Sequence, residues 1–361
     1  MTPLTHQRYL KLLFGLFLAV GGGLIALNWR IDPLQFYRKA TYPPLLIGQK
    51  RFQVPGLIKH YDYDTVVIGT SVSENFEARD IKKELNLNAL NLSMQGASVL
   101  EQKLALTLAL QTGKVRNVIW DINFEFLRGD AEWVANFDGS FPFYFYDANP
   151  LNEVNNYLLN VDTAKNSLKI LLRRCGLNTY RSFTPDELYP WYRKKPSGAA
   201  AVRKSWQLAA AKGRKPFLGE VAEYTSAKLN ANFDRQVLQL IREHPEVKFT
   251  LYFPPNSVGY YAQVTAAAPE VFDHMLQGRQ HVLAQTRDLP NVRLFDFQPL
   301  PELIYETDNY FDLMHFTHPI SNYILESMRL DRHRMTAEGS AKLKSLVASP
   351  RTGEWVKQIA P

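Results

Sequence analysis

Apolar positions in this chain form one long run near the N-terminus and several short runs spaced through the rest. Leu12 to Trp29 (LLFGLFLAVGGGLIALNW) is eighteen residues without a charge. At about 1.5 Å per residue it spans roughly 27 Å, close to the thickness of a bilayer core. Gly21, Gly22 and Gly23 would weaken a soluble helix but are ordinary in membrane helices, and Trp29 stands where an interfacial anchor belongs. No small-x-small cleavage site follows the run, so the pattern predicts an uncleaved anchor over 1–30 rather than a signal peptide. Basic residues flank both ends (Arg8 and Lys11 before; Arg30, Arg38 and Lys39 after), which leaves orientation open.

Beyond the anchor, strand and helix patterns alternate. Thr65–Gly69 (TVVIG), 87–93 (LNALNLS), 117–123 (NVIWDIN), 249–253 (FTLYF) and 292–297 (VRLFDF) read as five short, buried strands. Ser98–Gly113 places Val99, Leu100, Leu104, Leu108 and Ala109 on one helical face and stops at glycine. Long amphipathic stretches at about 218–244 and 268–287 precede the last two strands. Strands separated by helices predict an α/β domain over 60–348 with a parallel sheet. A linker is expected over 31–59 and a tail over 349–361. The region from about 128 to 217, aromatic at Phe141–Tyr146 and then basic, breaks the rhythm and predicts an inserted cap.

Composition narrows the class. Hydrophobic residues at 46% and charged residues at 21% fit a globular chain, and the single cysteine, Cys175, excludes a disulfide framework and Cys-rich zinc modules. Net charge is +7, but residues 173–215 hold eleven Lys/Arg against Asp186 and Glu187, leaving the remainder at −2. That run is either a solvated face or a contact for anionic lipid or an acidic polymer. No zinc spacing, helix-turn-helix pattern or basic recognition helix points to nucleic acid. No phosphate-binding G-x-x-x-x-G-K-[ST] is present, so no nucleotide cofactor is expected.

The reactive residue types sit at predicted strand ends, where open α/β sheets bind ligands. The first strand ends Gly69-Thr70-Ser71, which offers either a nucleophile in a tight turn or, through Ser71 or Ser73, a helix cap. The second ends near Gly96, a turn glycine or a close-approach backbone amide. The third ends Asp121-Ile-Asn123, where Asn123 is a cap or a rim amide. Near the C-terminus, Asp312-Leu-Met-His315 spaces a carboxylate to hold one imidazole nitrogen while the other faces a nucleophile. With His318 the same run has the spacing of a metal-ligand set, and a structural histidine is the third reading.

Taken together, Gly69-Thr70-Ser71, Gly96, Asn123 and Asp312-x-x-His315, in that order, resemble the blocks of the SGNH/GDSL hydrolases. With an N-terminal anchor, the chain resembles the membrane-anchored SGNH-like proteins of cell-envelope modification, the D-alanyl-lipoteichoic acid biosynthesis and alginate O-acetylation types. The first block is GTS rather than GDS, and the third is DIN rather than GxND. The resemblance covers roughly 60–127 and 245–320. It implies a three-layer, flavodoxin-like sheet, Ser71 as nucleophile, His315 as base and Asp312 as its orienter. It also implies an oxyanion hole from the Ser71 and Gly96 amides with the Asn123 side chain, and neither cofactor nor metal. The implied protein is a single-pass enzyme of the bacterial cytoplasmic membrane with its bulk outside. It would transfer or hydrolyse acyl groups on an envelope polysaccharide or teichoic-acid-like polymer, with a polytopic membrane acyltransferase as a partner. An anchored esterase or deacetylase, and a silent accessory protein, are the alternatives.

Overall fold

Five β-branched and aromatic runs pair edge to edge. The computed structural model describes residues 3–45, 47, 50–135, 141–147, 149–177, 180, 182, 195–211 and 219–359. The chain divides into two compact units: 1–61 with 142–184, and 62–141 with 185–361.

The second unit is α/β. Strands β1 (Thr65–Ile68), β2 (Ala89–Asn91), β3 (Asn117–Asp121), β4 (Lys248–Phe253) and β5 (Val292–Asp296) form one sheet of order β2-β1-β3-β4-β5. Every pairing is parallel, with Val66 opposite Leu90 and Val118, and Leu251 opposite Trp120 and Leu294. All four β1 residues are buried, so both faces of this interior strand are covered. This order places the reversal between β1 and β3, the switch point where such sheets hold ligands. Each strand lies inside its expected run, apart from one extra residue at the start of β4.

Between β2 and β3 runs the helix Val99–Gln111, begun by a reciprocal cap. Ser98 Oγ accepts from the Glu101 N–H at 3.3 Å, and a Glu101 carboxylate oxygen accepts from the Ser98 N–H at 2.7 Å. Gly113, at φ +69°, follows its end as predicted. Trp120 Nε1–H donates to Gln102 at 2.8 Å, which ties this helix to β3. The amphipathic stretch at 268–287 is the helix Pro269–Thr286. The one near 218–244 is a short 3₁₀ turn, Val221–Glu223, and then one continuous helical run from Ser226 to Glu243 with a π-helical segment at Asp234–Leu238.

The first unit contains α1 (Pro3–Ile31), whose residues His6–Ile31 are long and apolar enough to cross a membrane, at mean hydropathy 2.2. Within 31–59, expected as a linker, the described residues include a buried carboxylate and a helix. The buried Asp32 carboxylate accepts from the Phe36, Tyr37 and Arg38 N–H groups and from the Tyr157 hydroxyl. The chain then forms α2 (Lys50–His60), in which Val54, Leu57 and Ile58 are buried. Gly56 is required there by close approach, since a Cβ would lie 2.3 Å from the Leu34 carbonyl oxygen. Within the expected tail lies the helix Pro350–Ile359, which buries Trp355.

The region at about 128–217, expected as one insertion, is divided. Residues 142–184 complete the unit that holds α1, through Phe145, Tyr157 and Leu158 packed on Leu34 and Phe36. The part from 185 belongs to the sheet unit. Of the basic run, Arg181, Arg193, Lys194, Lys212, Arg214 and Lys215 lie outside the described residues.

Candidate active site

The turn after β1 is built around a buried carboxylate. Asp121, the last residue of β3, is 2% exposed. Its Oδ2 accepts from the Thr70 N–H at 3.2 Å, the Thr70 hydroxyl at 3.4 Å and the Ser73 hydroxyl at 2.6 Å. Ser73 Oγ also lies 2.7 Å from the Tyr252 hydroxyl on β4. Gly69 passes so close that a Cβ would meet Asp121 Cγ at 2.5 Å. Burial pushes the Asp121 carboxyl up to about 6, against the lowering effect of the Ser73 and Thr70 hydrogen bonds.

Both ends of the turn are thus fixed, and the residue between them projects away. Neither Ser71 nor Ser73 caps a helix. The 3₁₀ turn Ser73–Asn75 has Val72 at its cap position, with no side-chain cap bond. Ser73 is spent on Asp121, while Ser71 Oγ lies 2.8 Å from His315 Nε2.

His315 is oriented by its own loop. One Asp312 oxygen accepts from the Met314 N–H at 2.9 Å and the His315 N–H at 2.8 Å. Both Asp312 oxygens lie 2.9 Å from His315 Nδ1. A carboxylate there requires a proton on Nδ1, so in the neutral ring Nε2 accepts from the Ser71 hydroxyl. The loop is pinned by the Phe311 N–H to the His315 carbonyl at 2.8 Å. Asn75 Nδ2 donates to the Phe316 carbonyl at 2.7 Å and joins the two loops. Lys195 Nζ lies 2.8 Å from Asp312 Oδ2. Burial raises the Asp312 carboxyl, but His315 and Lys195 outweigh it and hold the group well below the usual carboxylate range.

The remaining predicted residues sit on the loops either side of Ser71. The order β2-β1-β3 places the Gly96 loop on one flank and Asn123 on the other. Gly96 is left-handed at φ +63°, and its loop is joined to the Ser71 turn by the Met94 N–H donating to the Gly69 carbonyl at 3.0 Å. Among the described residues none accepts from the Ser71 or Gly96 N–H. Asn123 does cap, its Oδ1 accepting from the Glu125 N–H at 3.0 Å. That bond leaves its buried Nδ2 with no partner among the described residues. Cap and rim amide are therefore opposite ends of one side chain.

The metal-spaced run divides. His318 Nε2 meets Asp80 Oδ2 at 2.7 Å, away from the His315 pair. With Glu77, these residues bring three ligand atoms within 4.8 Å, but Arg79 already supplies a cation to Glu77 at 2.5 Å.

Sequence reasoning missed Asp121, Tyr252 and Lys195. Asp121 stood inside the recognised Asp121-Ile-Asn123 run, but its partner becomes visible only once β1 and β3 are neighbours. In the sequence Lys195 is one of eleven Lys/Arg in the basic run, with nothing local to single it out. Compared with known proteins, the chain matches no family model and no curated protein significantly.

Proposed function

We propose that this chain is a membrane-anchored acyltransferase or esterase of SGNH-like type, working through an acyl-serine at Ser71. The observation that carries the reading is the continuous chain Ser71 Oγ–His315 Nε2, His315 Nδ1–Asp312, at 2.8 and 2.9 Å. Surface serines do not meet this arrangement by capping, and it is what converts a weak hydroxyl into a nucleophile.

In this reading Ser71 Oγ attacks an ester carbonyl as its proton passes to His315 Nε2. Asp312 holds the ring and stabilises the imidazolium that results. The carbonyl oxygen becomes an oxyanion, for which the Ser71 and Gly96 N–H groups and Asn123 Nδ2 are the unsatisfied donors. Such donors contribute about 3–4 kcal/mol each. His315 then returns the proton to the departing alkoxide, leaving Ser71 acylated. Water or a sugar hydroxyl, deprotonated by the same ring, takes the acyl group and restores the serine. An α1 that spans the bacterial cytoplasmic membrane with the bulk outside directs this chemistry to an envelope polysaccharide or teichoic-acid-like polymer. A polytopic membrane acyltransferase is the class of partner that supplies the acyl group.

Full-length protein is tested with an aryl acetate ester and a fluorophosphonate probe. The wild type should turn over the ester and take the probe at Ser71, and Ser71→Ala should lose at least about 10³-fold in kcat. A wild type inert to both reagents refutes the enzymatic reading and leaves an accessory role. Product analysis with a sugar acceptor separates transfer from hydrolysis.

A further inference from the structure

Exposed large apolar side chains are unevenly placed in this chain. Outside α1, those described are Phe143, Leu151, Leu159, Val161, Leu168 and Leu177 in the first unit, and only Leu208 and Leu330 in the second. Isolated exposed leucines need no explanation, but apolar clustering around one feature does. The feature here is the end of α1.

Along α1, residues 6–20 are exposed, Gly21 is partly covered, and sustained cover begins at Leu24 and Ile25. From His6 to Leu24 the helix rises roughly 27 Å, about one hydrocarbon thickness. Trp29, half-exposed under the Arg38 guanidinium at 4.3 Å, then falls at headgroup depth, where tryptophan collects. At that same level the first unit is fastened to α1. Asn28 Nδ2 donates to the Leu158 carbonyl at 2.9 Å and the Asn160 carbonyl at 3.2 Å, and the Ser167 hydroxyl donates to Asn28 Oδ1 at 2.9 Å. Leu159 and Val161 alternate with these fastened residues.

The helix Val161–Arg174 has the matching pattern. Thr163, Ser167 and Ile170 are buried against the unit. Val161, Leu168 and Leu172 recur at i, i+7 and i+11 on the opposite stripe, with Val161 63% and Leu168 52% exposed. Lys165, Lys169, Arg173 and Arg174 accompany them against Asp162, a charge balance suited to phosphates.

We infer that Leu159, Val161 and Leu168 lie in the headgroup layer of the bilayer that α1 spans, so that the first unit is a membrane-seated face rather than a body on a tether. The inference rests on α1 as a membrane span and is independent of the chemistry at Ser71. Its form is that of an interfacial amphipathic helix, apolar stripe inward and basic side chains at the phosphates.

The test uses full-length protein in phosphatidylcholine/phosphatidylglycerol liposomes. Cys175→Ser removes the single cysteine, and single cysteines at Leu159, Val161 or Leu168 carry an environment-sensitive dye. Leu208 and Leu330 serve as controls, and all five positions are exposed, so folding is little disturbed. Dyes at the first three positions should emit to the blue and be quenched by shallow doxyl lipids at least about twofold more than the controls. Equal quenching at all five overturns the inference. A blue shift without lipid quenching overturns it in favour of a second protein copy on this face. Protein that fails to float with the liposomes refutes the membrane span itself, a failure read before any dye is measured.

Discussion

Asp121 presents a carboxylate buried in the sheet at a measurable thermodynamic cost. Its side chain accepts three hydrogen bonds on Oδ2, yet Oδ1 has no partner among the described residues. Burial dominates and raises the group from its ordinary 3.8 to about 6. A folded state that holds the proton more tightly is most favoured, with respect to this group, below the unfolded value. That contribution is lost as pH rises through the folded value, so the window runs from about 4 to about 7. A shift of roughly two units corresponds to about 3 kcal/mol. Asp121→Asn keeps the shape and the acceptor but cannot titrate. Urea unfolding of full-length protein in detergent, followed by tryptophan fluorescence at pH 4, 5, 6 and 7, gives the stability of each form. The wild-type value minus the variant value should fall by about 3 kcal/mol across that range, other titrations cancelling in the difference. A difference constant to within about 0.5 kcal/mol would refute the account of Asp121 as a desolvated acid. The charged clamp fixes the Ser71 turn, so the variant should be more stable at neutral pH and yet lose about ten- to hundredfold in kcat.

Asn123→Ala removes one unsatisfied donor and should lower kcat about 10²–10³-fold with a smaller change in KM, read from steady-state ester hydrolysis. Gly69→Ala drives a methyl group to 2.5 Å from Asp121 Cγ; it should destabilise the second unit by about 1–3 kcal/mol in the same urea assay. Lys195→Met removes a half-exposed partner of Asp312, so it should cost under about 1 kcal/mol, and the difference should shrink in 1 M salt.

What was legible in the sequence was what local pattern controls. Runs such as TVVI are buried on both faces and appear as unbroken β-branched segments, so all five strands were found within a few residues. The spacing of Asp312 and His315 was also readable, because three residues of loop suffice to place a carboxylate on a ring nitrogen. Segments whose order depends on distant partners were not readable. Helix Lys50–His60 contains Pro55 and Gly56, which local propensity counts against a helix, and it is held by the preceding chain, with Gln53 Nε2 donating to the Leu45 carbonyl and His60 Nε2 at the Phe36 carbonyl. Residues 142–184 read as part of a cap because nothing local says that Tyr157 belongs under Leu34. Asp121 was passed over for a related reason, since it works across the sheet on a turn 51 residues earlier.

The interleaved path of the chain sets a schedule for its own synthesis. Asn28 must wait for Ser167, 139 residues later, which at about 5–20 residues per second is roughly 7–28 s. During that time α1 ends in a bare amide that its folded partners have yet to cover, and only water or headgroups can satisfy it. Ser71 waits longer, since His315 follows 244 residues later, roughly 12–49 s at the same rate. A chain interrupted between Phe253 and His315 has at least four of its five strands, but its Ser71 has no base. Completion of the last third of the chain is therefore what brings the His315 ring to Ser71.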